Sequence, residues 1–147
     1  MRPVVTRGPL GSVGFFRLPG GSPLPRVLIV DDEAGIRFAL KRWFERQHWV
    51  VDEAPDGRQA LQIIESETAE TALDLIVTDL HLPGMTGDQL VLTLMATRPT
   101  LATRVIITTG DAVQDAARDS VLATHPHVLQ KPFDLATLRA AVDRVLA

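Results

Sequence analysis

The sequence predicts an α/β fold, a doubly wound five-stranded parallel sheet with helices on both faces. Three observations carry that expectation. From Arg26 onward, short apolar runs rich in β-branched residues alternate five times with stretches whose apolar residues recur at helical spacing. The runs are continuously apolar, which suits strands buried on both faces. The connections between them are short and punctuated by Gly, Pro and Asp, as parallel strands joined by crossover helices require.

Val27-Leu28-Ile29-Val30 is the first strand and stops at Asp31-Asp32-Glu33. Ile36, Ala39, Leu40, Trp43 and Phe44 then mark a helix to about Gln47, with the acidic triplet where the helix dipole favours negative charge. Trp49 to Ala54 reads as the second strand. Pro55-Asp56-Gly57 turns it into a helix carrying Ala60, Leu61 and Ile64 and ending near Thr68. Leu75-Ile76-Val77-Thr78-Asp79 is the third strand, followed by the turn Leu82-Pro83-Gly84. Thr86-Gly87-Asp88 opens a helix whose Leu90, Leu94 and Met95 are expected to face inward and which Arg98-Pro99 stops. Arg104 to Thr109 is the fourth strand, closed by Gly110-Asp111, and a small-residue-rich helix is expected over 112–122. His127 to Gln130 is a short fifth strand ended by Lys131-Pro132. Leu135, Leu138, Ala141, Val142 and Val145 mark the last amphipathic helix.

Composition bounds the rest. A chain of 147 residues that is 46% hydrophobic suits one domain with its own core. It has no cysteine, so thiolate metal sites and disulfides are excluded and a cytoplasmic location is expected. The net charge of -3 offers no basic patch for direct nucleic-acid binding, and no apolar run approaches the roughly 20 residues that span a bilayer. Residues 1–25 differ. They are rich in Pro and Gly and lack acidic residues, and they read as a disordered arm in front of a domain over 26–147.

Five such units favour the flavodoxin-like strand order 2-1-3-4-5, with a crevice beyond the carboxyl ends of strands one and three. Asp31 and Asp32 end strand one, Asp79 ends strand three, Thr109 ends strand four and Lys131 ends strand five. One pocket can therefore receive all five side chains. Three converging carboxylates repel one another unless a cation joins them or some take up protons, and hard oxygen donors select Mg²⁺. With magnesium bound, Asp79 could act as an oxygen nucleophile toward phosphorus. Lys131 would offset charge on the transferring group, and the Thr109 hydroxyl would donate to one of its oxygens.

Asp31-Asp32-Glu33, Thr78-Asp79 with Leu82-Pro83-Gly84-Met85, Thr109-Gly110 and Lys131-Pro132-Phe133 together resemble the receiver domains of two-component response regulators. The resemblance runs from about Pro25 to Ala147. It implies that Asp79 is the phosphoacceptor, taking a phosphoryl group from a sensor histidine kinase. It also implies that Asp32, Asp79 and the backbone carbonyl of His81 coordinate Mg²⁺, Asp31 acting largely through a metal-bound water. Thr109 and Lys131 would bind the phosphoryl group, and Lys131-Pro132 would be a cis peptide. A receiver of this kind is a signalling domain that catalyses only its own phosphorylation and dephosphorylation. It would act on a downstream protein or a phosphotransfer protein, with a weak dimer through the fourth and fifth helices as a further expectation. The sequence departs from the family at Val128, where an aromatic switch residue is common. Two other readings stay open: a receiver belonging to a hybrid histidine kinase, and an Asp/Mg²⁺ phosphatase-like hydrolase. The latter typically carries its nucleophile in an Asp-x-Asp pair after the first strand.

Overall fold

The computed structural model describes residues 4–7, 13–16, 24–110 and 125–147. Its elements are β1 (Val4–Arg7), β2 (Val13–Phe16), β3 (Arg26–Val30), α1 (Ala34–Arg46), β4 (Val50–Ala54), α2 (Gly57–Glu65) and β5 (Leu75–Asp79). These are followed by α3 (Gly87–Thr97), α4 (Pro99–Ala102), β6 (Val105–Thr109), β7 (Val128–Gln130) and α5 (Leu135–Leu146). The helix expected over 112–122 lies outside the described residues. Among the described residues, no helix is long and apolar enough to cross a membrane.

Five strands form one parallel sheet in the order β4-β3-β5-β6-β7, the predicted 2-1-3-4-5. Successive side chains of a strand leave opposite faces, so each continuously apolar run feeds two cores. Leu28, Val30, Ile76, Val105 and Ile107 pack with Ala60 and Ile64 of α2 and with Leu90, Val91 and Leu94 of α3. Val27, Ile29, Leu75, Val77 and Ile106 pack on the other face with Leu40, Trp43 and Phe44 of α1 and with Leu138, Ala141 and Val142 of α5. Phe44, Ile76, Leu90 and Leu138 are fully enclosed, and each such side chain stabilises the fold by roughly 1.5–3 kcal/mol relative to exposure.

Local chemistry sets the element ends. His48 takes a left-handed φ of 65° after α1, and the Trp49 N–H donates back to the Phe44 carbonyl at 3.0 Å, reversing the chain into β4. Asp56 caps α2 by accepting from Gln59 N–H, and Thr86 with Gln89 forms a capping box on α3.

Four expectations change. The helix placed as far as Thr68 ends at Glu65, and Ser66 follows as its C-cap. Met95 is 54% exposed, because the inward stripe of α3 is Leu90, Val91 and Leu94 and Met95 lies about 100° further round the helix. Leu135 is 55% exposed, being the first residue of α5 and short of the buried stripe that begins at Leu138. Within the arm, Val4–Arg7 and Val13–Phe16 pair as a two-stranded antiparallel sheet, Val4 opposite Phe16 and Arg7 opposite Val13. The β-branched and aromatic residues of those eight positions favour the extended conformation, which the Pro- and Gly-rich composition of the arm as a whole conceals.

Candidate functional site

Asp79 is the last residue of β5, a strand buried along its whole length. The strand end is braced on several sides. The Thr78 hydroxyl donates to the Asp79 carbonyl at 3.0 Å, Leu80 N–H donates to the Thr108 carbonyl, and Gly87 N–H donates to the Leu80 carbonyl, the last two at 2.8 Å. Gly87 sits so close that a Cβ there would lie 2.4 Å from the Asp79 carbonyl oxygen. Only glycine lets α3 begin against this strand end.

Asp31 directly follows β3 and is 2% exposed. Its N–H donates to the Ala54 carbonyl at 3.1 Å, and its Oδ1 accepts from Glu33 N–H at 2.8 Å. Asp32 and Glu33 follow it into solvent. Asp31, Asp32 and Glu33 each offer a carboxylate oxygen, and the three oxygens lie within 4.8 Å of one another. Glu33 stands at the N-cap of α1 without a side-chain capping bond, so its carboxylate is free of that duty.

Lys131 follows β7 and reaches back across the strand ends. Its Nζ lies 3.0 Å from Asp31 Oδ2 and 3.4 Å from Asp79 Oδ2, with 17% of the side chain exposed. The Lys131 N–H donates to the Thr109 carbonyl at 2.7 Å, tying β7 to the end of β6, and the Lys131-Pro132 peptide is cis. Burial alone would lower the lysine pKa, but the hydrogen bonds and charges of Asp31 and Asp79 outweigh it and hold the ammonium above its ordinary value. Burial pushes the Asp79 carboxyl above the ordinary aspartate value and the Asp31 charge adds to the rise, against the opposing pull of Lys131 and of a hydrogen bond from the His81 backbone N–H.

The structure thus brings Asp31, Asp79 and Lys131 into direct contact and sets Asp32 beside Asp31 on the exposed rim. Thr109 is fully buried at the end of β6, and His81 stands exposed two residues after Asp79. Sequence reasoning treated Glu33 only as a helix-start acid and did not single out Arg37, which donates through Nη1 to the Asp31 carbonyl. The donor set is hard carboxylate oxygen throughout, with no His or Cys among the clustered groups, and it fits a small divalent cation such as Mg²⁺. Chemically, the arrangement presents a strand-end carboxylate beside a fixed ammonium and an oxygen-rich rim.

Comparison with known proteins agrees with this geometry. The family described as "Response regulator receiver domain" matches residues 27–143. Sporulation initiation phosphotransferase F of Bacillus subtilis is 34% identical over 125 residues, which cover 82% of this chain and 93% of that protein. Sensor kinase CckA of Brucella abortus is 32% identical over 120 residues, covering 82% of this chain but 12% of that much longer protein. Among solved structures, chemotaxis response regulator CheY4 of Vibrio cholerae superimposes with a TM-score of 0.72 at 27% identity, covering 84% of this chain and 99% of that one. A response regulator receiver domain protein of Clostridium thermocellum gives 0.71 at 26% identity, covering 84% of this chain and 94% of that one. With the sheet order, the strand-end carboxylates and the lysine that joins them, these matches make the chain a member of the response regulator receiver domain family.

Proposed function

We propose that this receiver takes a phosphoryl group onto Asp79 from the phosphohistidine of a sensor histidine kinase and signals to a partner protein in the cytoplasm. The observation that carries the reading is Lys131, whose ammonium reaches from the end of β7 past β6 to lie against Asp31 and Asp79 at the ends of β3 and β5. An Asp79 carboxylate oxygen attacks phosphorus as the phosphorus–nitrogen bond to the donor imidazole breaks. The departing nitrogen keeps the electron pair. Asp31, Asp32, Asp79 and the His81 carbonyl would hold Mg²⁺, which supplies charge neutralisation on the phosphoryl oxygens. Lys131 releases part of its hold on the carboxylates to pair with a phosphoryl oxygen, and Thr109 donates its hydroxyl to another. Movement of Thr109 toward the phosphoryl group would start the signal in the segment that follows it, and a weak dimer would use the helix expected over 112–122 together with the last helix.

Incubation with acetyl phosphate and Mg²⁺, followed by intact-mass measurement, tests the assignment. An acid-stable, base-labile adduct is expected on the wild type and none on Asp79→Asn. Equal labelling of the two proteins would sink it. Continuous release of inorganic phosphate over many rapid turnovers would instead favour a phosphatase-like hydrolase.

A second reading keeps the same chemistry but embeds it in a hybrid kinase, and the match to a segment of a sensor kinase favours it. Under either reading, adding a histidine phosphotransfer protein should drain the label from Asp79 if the role is relay. Stable retention of the label would point to signalling by docking.

A further inference from the structure

We infer that Arg37 is a positioning residue for the proposed cation site, fixing the peptide that links Asp31 to Asp32. This rests on the reading that the acidic loop holds Mg²⁺. Arg37 lies in the first turn of α1, with 18% of its side chain exposed. Its guanidinium makes two engagements at once: Nη1 donates to the Asp31 carbonyl, and Nε lies 3.6 Å from Glu53 Oε1. Glu53 is itself held at its other oxygen by Lys41 Nζ at 3.5 Å. It belongs to β4, in register with Ile29 of β3, so the anchor is built into the sheet.

The consequence follows from peptide geometry. Asp31 N–H is held by the Ala54 carbonyl and its carboxylate by Glu33 N–H and Lys131, which leaves its carbonyl as the remaining freedom. The peptide unit is planar, so fixing the Asp31 carbonyl also fixes the N–H and Cα of Asp32, leaving only rotations within Asp32 itself to aim its exposed carboxylate. Three acidic side chains crowd this loop, and without the tether their repulsion would splay it. Lysine cannot substitute, because a single ammonium lacks the fork that reaches two acceptors in different directions.

Charge and geometry make opposite demands here, and that separates the explanations. As a mere positive charge, Arg37 would repel Mg²⁺, so its removal would tighten binding. As a positioning residue, its removal weakens binding. The experiment is a calorimetric Mg²⁺ titration of the full chain, well below the melting temperature, for wild type, Arg37→Lys, Arg37→Gln and Asp32→Ala. Weakening of about tenfold or more is expected in both Arg37 variants, the usual scale for groups that orient metal ligands, and loss of binding in Asp32→Ala. Should either Arg37 variant fail to fold, Lys41→Gln serves instead: it removes a positive charge, which alone would tighten binding, but releases one side of the Glu53 anchor, and a severalfold loss is expected. Unchanged or tighter binding in a folded Arg37→Gln or Lys41→Gln overturns the inference. Absence of binding by the wild type overturns the cation reading itself, and the inference with it.

Discussion

At the scale of single residues, Asp79 is a group held at a cost. Its folded pKa lies above the unfolded value, chiefly through burial and then through the Asp31 charge, with Lys131 opposing. A carboxyl raised in this way contributes stability that is complete below about pH 3.8 and is lost as pH rises through the folded value. At neutral pH the ionised side chain therefore weakens the fold. Asp79→Asn, measured with a chelator present, should melt higher than wild type at pH 7, by roughly 2–5 °C, and the two curves should converge toward pH 4. A lower melting temperature for the variant at pH 7 would show that pairing with Lys131 outweighs burial. Lys131 has the complementary dependence: its raised pKa adds stability that is present below pH 10.5 and lost as pH climbs through the folded value.

At the scale of elements, the approach of α3 to β5 is the tightest constraint near the site. Gly87→Ala would drive a methyl into the Asp79 carbonyl and Leu80, so it should destabilise by about 1–3 kcal/mol and slow labelling of Asp79. Gly35 in α1 has open space around its missing Cβ, and Gly35→Ala should instead stabilise by about 0.5–1 kcal/mol. Equal melting shifts of one sign in the two variants would refute the contrast. Most elements were readable beforehand because each strand is apolar on both sides and each helix shows one apolar stripe. Met95 and Leu135 misled because residue type does not reveal where a stripe stops. Pro99 was readable as the stop of α3 but also begins α4, since proline suits the first position of a new helix. The strand-end residues Asp31, Asp79 and Lys131 were legible from their places in the alternation. The tether from Arg37 to Glu53 was not, because it joins a helix to a strand through three-dimensional proximity that no local spacing encodes.

At the scale of the whole molecule, both cores are built from residues between Val27 and Leu146. Removing residues 1–23 should therefore leave the melting temperature within about 2 °C and the labelling of Asp79 unchanged, as expected for a terminus outside the cores. A fall of many degrees would show that the paired strands Val4–Arg7 and Val13–Phe16 stabilise the domain. The sheet also ends in two guarded edges, and this bears on how the protein behaves in a concentrated tube. β7 offers three residues between Pro126 and Pro132, neither of which can donate to an added strand. On the opposite edge, β4 carries Asp52 and Glu53, already engaged by Arg26, Arg37 and Lys41. Short, proline-flanked or charged borders of this kind deny neighbouring molecules a template for strand addition to this sheet, so the chain lacking residues 1–23, stored at high concentration, should yield neither fibres nor the slow rise in light scattering that precedes them.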